Sequence, residues 1–145
     1  MKLSDNGLSL IKSFEGLRLS AYKCVSTEKF YTIGYGHYGA DVKPGMVITP
    51  KKAEQLLRKD CARFVTHVNA YVRKYKKAGV VINQNQFDAL VSFAYNVGSI
   101  NQLTANGTRS LDSIANKMLL YNKSGGKVLA GLTKRREKEH DLFCR

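Results

Sequence analysis

The apolar positions of this chain change period twice. Near the N-terminus Leu8, Ile11 and Phe14 recur at helical spacing, with Ser4 where an N-cap would stand and Leu3 and Leu8 spaced as a hydrophobic staple. This predicts a short amphipathic helix over residues 4–14. From Leu17 to Val47 that period is lost, aromatic and β-branched residues enter, and Gly34, Gly36, Gly39 and Gly45 punctuate the run. A small antiparallel sheet is predicted there, with strands near 18–24, 29–34 and 42–48 and turns near 25–28 and 36–41.

Thr49-Pro50 then reads as a helix start, the hydroxyl as N-cap and the proline at the first helical position. Ala53, Leu56, Leu57, Cys61, Phe64, Val65, Val68, Tyr71, Val72 and Tyr75 hold a 3-4 spacing up to Gly79, which suits a helix-ending residue. At about 1.5 Å per residue such a helix runs on the order of 40 Å, too long for one small core, so it is expected to bridge a β lobe and a helical lobe. A further helical pattern starts near Asn85, carries Phe87, Leu90, Val91, Ala94 and Tyr95 on one face, and stops at Asn96-Val97-Gly98. Short helices are predicted near 99–103, 109–121 and 134–142, with Gly125-Gly126 as a break. The fold class is therefore α+β in a single domain: a β lobe over about 15–49, a linking helix over about 50–78, and a helical lobe over about 79–145 that includes the N-terminal helix.

Composition adds a partner class. Lys plus Arg number 24 against 11 Asp plus Glu, a formal net charge of +13, which favours encounter with an anionic polymer: nucleic acid, acidic lipid or bacterial wall. No helix-turn-helix, zinc or RNA-recognition signature supports nucleic acid. Cys24, Cys61 and Cys144 make neither an even disulfide framework nor a C-x-x-C metal spacing. The N-terminal residues lack the apolar core of a signal peptide, and no apolar run suits a membrane span. The expectation is a product with reduced thiols, made in the cytoplasm, without membrane insertion and needing another route to any target outside.

Among the acids, Glu54, Asp60, Glu137 and Asp141 read as exposed helix-face residues, whereas Glu15 follows Phe14 at the end of the first predicted helix and precedes Gly16. The free carbonyls at a helix C-terminus disfavour negative charge there, and burial in a hollow would act in the same direction, which suits a general acid. A surface glutamate, or one paired with Arg18, fits position 15 equally. The Gly34-Tyr35-Gly36-His37 run lacks the third glycine of a dinucleotide site and reads as a bend or tight strand packing. His37, His67 and His140 show no metal spacing.

Three blocks in this sequence resemble the phage-type lysozymes, the endolysins of glycoside hydrolase family 24. They are Glu15-Gly16-Leu17-Arg18-Leu19 through Ala21-Tyr22 to Thr32-Ile33-Gly34-Tyr35-Gly36-His37, then Gln86 to Gly98, and last Gly131-Leu132-Thr133-Lys134-Arg135-Arg136-Glu137 with Leu142-Phe143. The resemblance implies a lysozyme fold with peptidoglycan in a cleft between two lobes. It also implies a muramidase cutting the β-1,4 bond between N-acetylmuramic acid and N-acetylglucosamine, with no metal or organic cofactor. In such enzymes the glutamate after the first helix is the general acid, while an aspartate on the first hairpin and the threonine of Thr-Ile-Gly place and activate water. Glu15 and Thr32 match.

The aspartate position, nine residues on from Glu15, holds Cys24, in a hairpin longer than the family's usual form. Three readings of Cys24 stand open. Its thiolate serves as base or as an electrostatic stabiliser of the oxocarbenium-like transition state, with Lys23 and Lys29 near in sequence; or Glu28 or Asp41 takes that role; or the cysteine is a small apolar residue in a weak or inactive wall-binding homologue. Tyr38, Tyr95 and Asn96 match substrate-contact positions of the family, and read equally as aromatic core and a helix end. His37 is expected to brace the β lobe through a hydrogen bond. The partners implied are peptidoglycan and the anionic bacterial cell wall, with the chain a monomer released to the wall from the host cytoplasm by a holin-type protein.

Overall fold

A computed structural model describes residues 1–145. The elements in order are α1 (Asp5–Phe14), β1 (Arg18–Tyr22), β2 (Tyr31–Gly34), β3 (His37–Gly39), α2 (Pro50–Lys77), α3 (Gln84–Val97), α4 (Leu111–Met118), β4 (Lys123–Ser124), β5 (Lys127–Val128) and α5 (Ala130–Phe143). Two compact units emerge, one of residues 11–62 and one of residues 1–10 with 63–145, and the division falls inside both α1 and α2.

In the unit of residues 11–62, β1, β2 and β3 form an antiparallel sheet in that order. Thr32 stands opposite Tyr22 on one side and Tyr38 on the other, and Ile33 opposite His37, with a register irregularity in β1 between Arg18 and Tyr22. Ile11, Ile33, Val42, Ala53, Leu57 and Cys61 supply the buried apolar residues. The third strand is not the 42–48 segment that the pattern predicts. A turn closed from Val42 N–H to Gly39 O and another from Met46 N–H to Lys43 O, around Pro44-Gly45, break that segment. It touches β1 through a single bridge at Ser20 and Val47, flanked by bonds from Ala21 N–H to Met46 O and Ile48 N–H to Leu19 O, each 2.9 Å.

In the other unit α3 is the core. Phe87 to Ala94 are buried without interruption, as expected of a helix covered on every side, and α5 is its main neighbour. Asn83 and Gln86 close a capping box at its start, and Gly98 at φ 108° ends it. Ser4 caps α1 through Gly7 N–H, and Asp88, fully buried in α3, accepts from the backbone N–H and hydroxyl of Ser4 and from Gln84 Nε2. A methyl on Gly7 would lie 2.7 Å from Asp88 Cγ, so the first turn of α1 needs glycine there. The predicted helix at 99–103 is a turn, and the positive φ of Ala105, Asn106 and Gly107 directly after it keeps the chain from continuing as a helix. The helix predicted at 109–121 is only α4, and that predicted at 134–142 begins earlier, as α5. Gly125-Gly126, read as a break, is the positive-φ turn of the β4–β5 hairpin, whose strands are too short to carry a period.

Candidate active site

Glu15 is the residue on which α1 closes: its N–H is shared between Ile11 O at 3.2 Å and Lys12 O at 3.3 Å. The side chain is half-buried. What it faces explains the glycines of Thr32-Ile33-Gly34-Tyr35-Gly36-His37. Ile33 and His37 pair across the β2–β3 turn, so the chain reverses over Gly34-Tyr35-Gly36, with Gly34 at φ 68° and Gly36 at φ 91°. A methyl on Gly34 would stand 3.4 Å from the Ala53 Cβ of α2, and one on Gly36 would stand 4.0 Å from Glu15 Oε2. The turn therefore runs past the Glu15 carboxyl with bare backbone. Beside it lies a hollow of about 300 Å³ lined by Lys12, Tyr35, Lys51, Glu54 and Arg58. Lys12 Nζ donates to Glu54 Oε2 at 3.0 Å and lies 5.5 Å from the Tyr35 ring centroid. The hydrogen bond to Glu54 raises the Lys12 pKa.

Thr32 is buried in β2, with Tyr22 and Tyr38 as cross-strand neighbours on the same face. Tyr38 is 48% exposed; its ring packs against Phe30 at 5.6 Å between centroids, and its hydroxyl accepts from Phe30 N–H at 3.3 Å. Cys24 is an exposed free thiol in the loop after β1. Lys23 Nζ stands 4.9 Å from the Tyr31 ring centroid, a cation–π contact that ties the start of that loop to β2, and Lys29 Nζ stands 5.3 Å from the ring of Phe30, its neighbour within the loop. Of the other two carboxyls weighed for the base, Glu28 is half-buried, with Oε2 lacking a hydrogen-bond partner. Asp41 is bound to His37.

That histidine is held between two acids. Nδ1 lies 3.0 and 2.9 Å from the two Asp60 oxygens, and Nε2 lies 2.9 Å from Asp41 Oδ2. Burial alone would lower its pKa, but the hydrogen bonds to Asp41 and Asp60 outweigh burial and raise it above the usual value. The bond to His37 holds the Asp41 carboxyl below its usual range, against the opposing effect of burial. His37 thus braces β3 against α2. Asp60 is half-buried rather than fully exposed. The signal for it was its place directly before Cys61, on the edge of the stripe formed by Ala53, Leu57, Cys61 and Phe64.

Tyr95 and Asn96 belong to the unit of residues 1–10 and 63–145. Tyr95 meets Phe64 edge to face at 5.7 Å, and Asn96 Oδ1 accepts from Arg136 Nη2 at 2.6 Å. Arg136 and Glu139 are both wholly buried, and Arg136 Nε stands 3.0 Å from Glu139 Oε2 as an ion pair off the hydrogen-bonding angle. Arg135 Nε and Ser92 Oγ donate to Glu139 Oε1 at 3.1 and 2.7 Å. Arg135 and Arg136 are therefore interior. Their i,i+4 and i,i+3 spacing to Glu139 was the available signal. No group of three or more His, Cys, Asp or Glu side chains is arranged to hold a metal ion.

The family model for phage lysozyme matches residues 12–139. An endolysin of Bacillus phage B103 is 53% identical over 99% of this chain and 54% of its own length, so the chain spans about half of that relative. Two solved structures align over nearly their whole length. The muramidase domain of SpmX from Asticaccaulis excentricus is 36% identical, with a TM-score of 0.80, covering 99% of this chain and 98% of that one. An endolysin from Escherichia coli O157:H7 phage FAHEc1 is 38% identical, with a TM-score of 0.77, covering 99% and 93%. With the lysozyme α+β fold, the acid closing the first helix and the glycine turn beside it, the chain belongs to the phage lysozyme family.

Proposed function

We propose that this chain is an endolysin muramidase, hydrolysing the β-1,4 bond between N-acetylmuramic acid and N-acetylglucosamine of peptidoglycan in host cell lysis. The observation that carries this reading is the Glu15 carboxyl at the end of α1, beside the bare backbone of Gly36, in a chain of the phage lysozyme family. Glu15 acts as the general acid and protonates the leaving glycosidic oxygen. Cys24 and Thr32 stand in for the aspartate and threonine that hold and activate the attacking water, Cys24 through its thiolate. The water then attacks the anomeric carbon.

Tyr38, Tyr95 and Asn96 contact the sugar chain. The exposure of Tyr38, and the fixing of the Asn96 amide by Arg136, support those roles. The enzyme works as a monomer, a reading supported by Glu15, Cys24 and Thr32 all lying within residues 11–62 of one chain. It is made in the host cytoplasm and reaches the wall through a holin-type pore; no helix is long and apolar enough to cross a membrane. The test is purified peptidoglycan with Glu15→Gln. Wild type should clear turbidity and release new reducing ends, and the variant should do neither while keeping the wild-type circular dichroism spectrum. Retained turnover by the variant would remove Glu15 as the acid, and an inactive wild type would overturn the muramidase reading.

A further inference from the structure

The β4–β5 hairpin is the most exposed element of the chain: every residue from Lys123 to Gly131 is exposed. Its base is nonetheless fixed. Leu129 N–H donates to Asn122 O at 3.0 Å, and Asn122 Nδ2 donates to Thr133 Oγ1 of α5 at 3.1 Å. Around this ribbon three aliphatic side chains face water, Leu120 at 66%, Val128 at 59% and Leu129 at 45% exposure. Elsewhere exposed valines such as Val25, Val47 and Val81 occur singly, as on any protein. The charge here is one-sided as well. Between Asp112 and Glu137 the sequence holds no acidic residue, while Lys117, Lys123, Lys127 and Lys134 are all exposed. Lys123 pairs across the ribbon with Val128, which puts a cation and an aliphatic side chain on one face.

We propose that this hairpin is an adhesion surface for an anionic lipid bilayer. Charge complementarity selects the sign of the partner, and the aliphatic side chains select its kind. A hydrophilic polyanion such as a wall polyphosphate takes up lysines but gives Leu120, Val128 and Leu129 nothing apolar to enter. A bilayer interface accepts both, the ammonium groups at the headgroups and the aliphatic chains just beneath. Protein partners are met chiefly through aromatic and arginine anchors, and the hairpin has neither. The attachment is peripheral, and it is independent of the glycosidase reading.

The test sediments the full chain with vesicles of phosphatidylcholine alone or mixed with phosphatidylglycerol, at low salt. Wild type should pellet with the mixed vesicles and not with phosphatidylcholine alone. Val128→Ser with Leu129→Ser, and separately Lys123→Gln with Lys127→Gln, should each lower that partition about tenfold. Because these side chains are exposed, melting temperature and hydrolysis of lipid-free peptidoglycan should stay at wild-type values. The chain contains no tryptophan, so Val128→Trp supplies a reporter whose emission should shift to the blue only with the anionic vesicles. The proposal is overturned if wild type does not pellet, or if the serine variant pellets like wild type, which would assign adhesion to net charge alone. It is equally overturned if the lysine variant loses binding to lipid-free wall polymer but keeps its vesicle binding.

Discussion

At residue 36 the backbone stands at φ 91°, and a side chain there would meet the Glu15 carboxyl. Gly36→Ala should therefore combine a backbone cost of about 1 kcal/mol with a loss of hydrolysis of at least about tenfold. Urea unfolding and reducing-end release measure the two separately, and a variant with wild-type turnover would show that the turn does not shape the site. Cys24 makes a second prediction at this scale. Cys61 is buried, so in a Cys144→Ala background Cys24 is the one exposed thiol. Alkylation in that background should abolish activity, as should Cys24→Ala, whereas Cys24→Asp should keep it. Full activity of Cys24→Ala would take the thiol out of the mechanism and return attention to Glu28, whose Oε2 is buried without a partner.

At the scale of elements, two ionic devices hold helices and strands in place, and they respond differently to pH. The His37 pKa is raised from 6.5, so its contribution is complete below that value and is lost as pH rises through the raised one. The Asp41 pKa is lowered from 3.8, so its contribution is present above that value and is lost as pH falls. The clamp between β3 and α2 is thus strongest in mildly acidic solution. Asp60→Asn should cost about 1 kcal/mol near pH 5.5 and little at pH 9, read from thermal unfolding across pH; an equal cost at both would assign the bond a purely neutral character. The buried Arg136–Glu139 pair should be far less forgiving. Glu139→Gln leaves two guanidinium groups without their anion, and a loss of about 3–5 kcal/mol is expected in denaturant unfolding. These devices also mark what the sequence hid. The long helix was legible because its stripe runs from Ala53 to Tyr75, and the place of Glu15 directly after the first helix because Leu8, Ile11 and Phe14 keep the helical period up to it. Asp60 was not, because its partner His37 lies in a strand 23 residues away, and Arg136 and Glu139 were not, because an i,i+3 charge pair reads the same on an exposed helix face as in a core, and Ser92 and Asn96, which bind the pair, lie 47 and 40 residues away. The strand assigned to 42–48 failed for a related reason: β-branched residues mark apolar contact, but Pro44-Gly45 and the turns around it prevent a continuous ladder.

At the scale of the whole molecule, the net charge of +13 acts on encounter rather than on the chemical step. Within residues 11–62, Glu15 and Thr32 are half-buried and buried, where salt screens weakly, whereas the surplus lysines lie at the surface and are screened over about 10 Å at 0.1 M salt. Adding salt should therefore weaken the hold on insoluble, anionic wall without slowing the cleavage of a bound, uncharged chain. The expected result is a half-saturating wall concentration that rises several-fold with sodium chloride, from about 0.05 to 0.5 M, and a maximal rate on soluble, uncharged glycan that stays flat. Were both to fall together, the salt would be acting on the fold or the site. Were neither to change, the positive surface would be idle in catalysis, and the hairpin of Lys123 and Lys127 would be left as the feature through which the charge works.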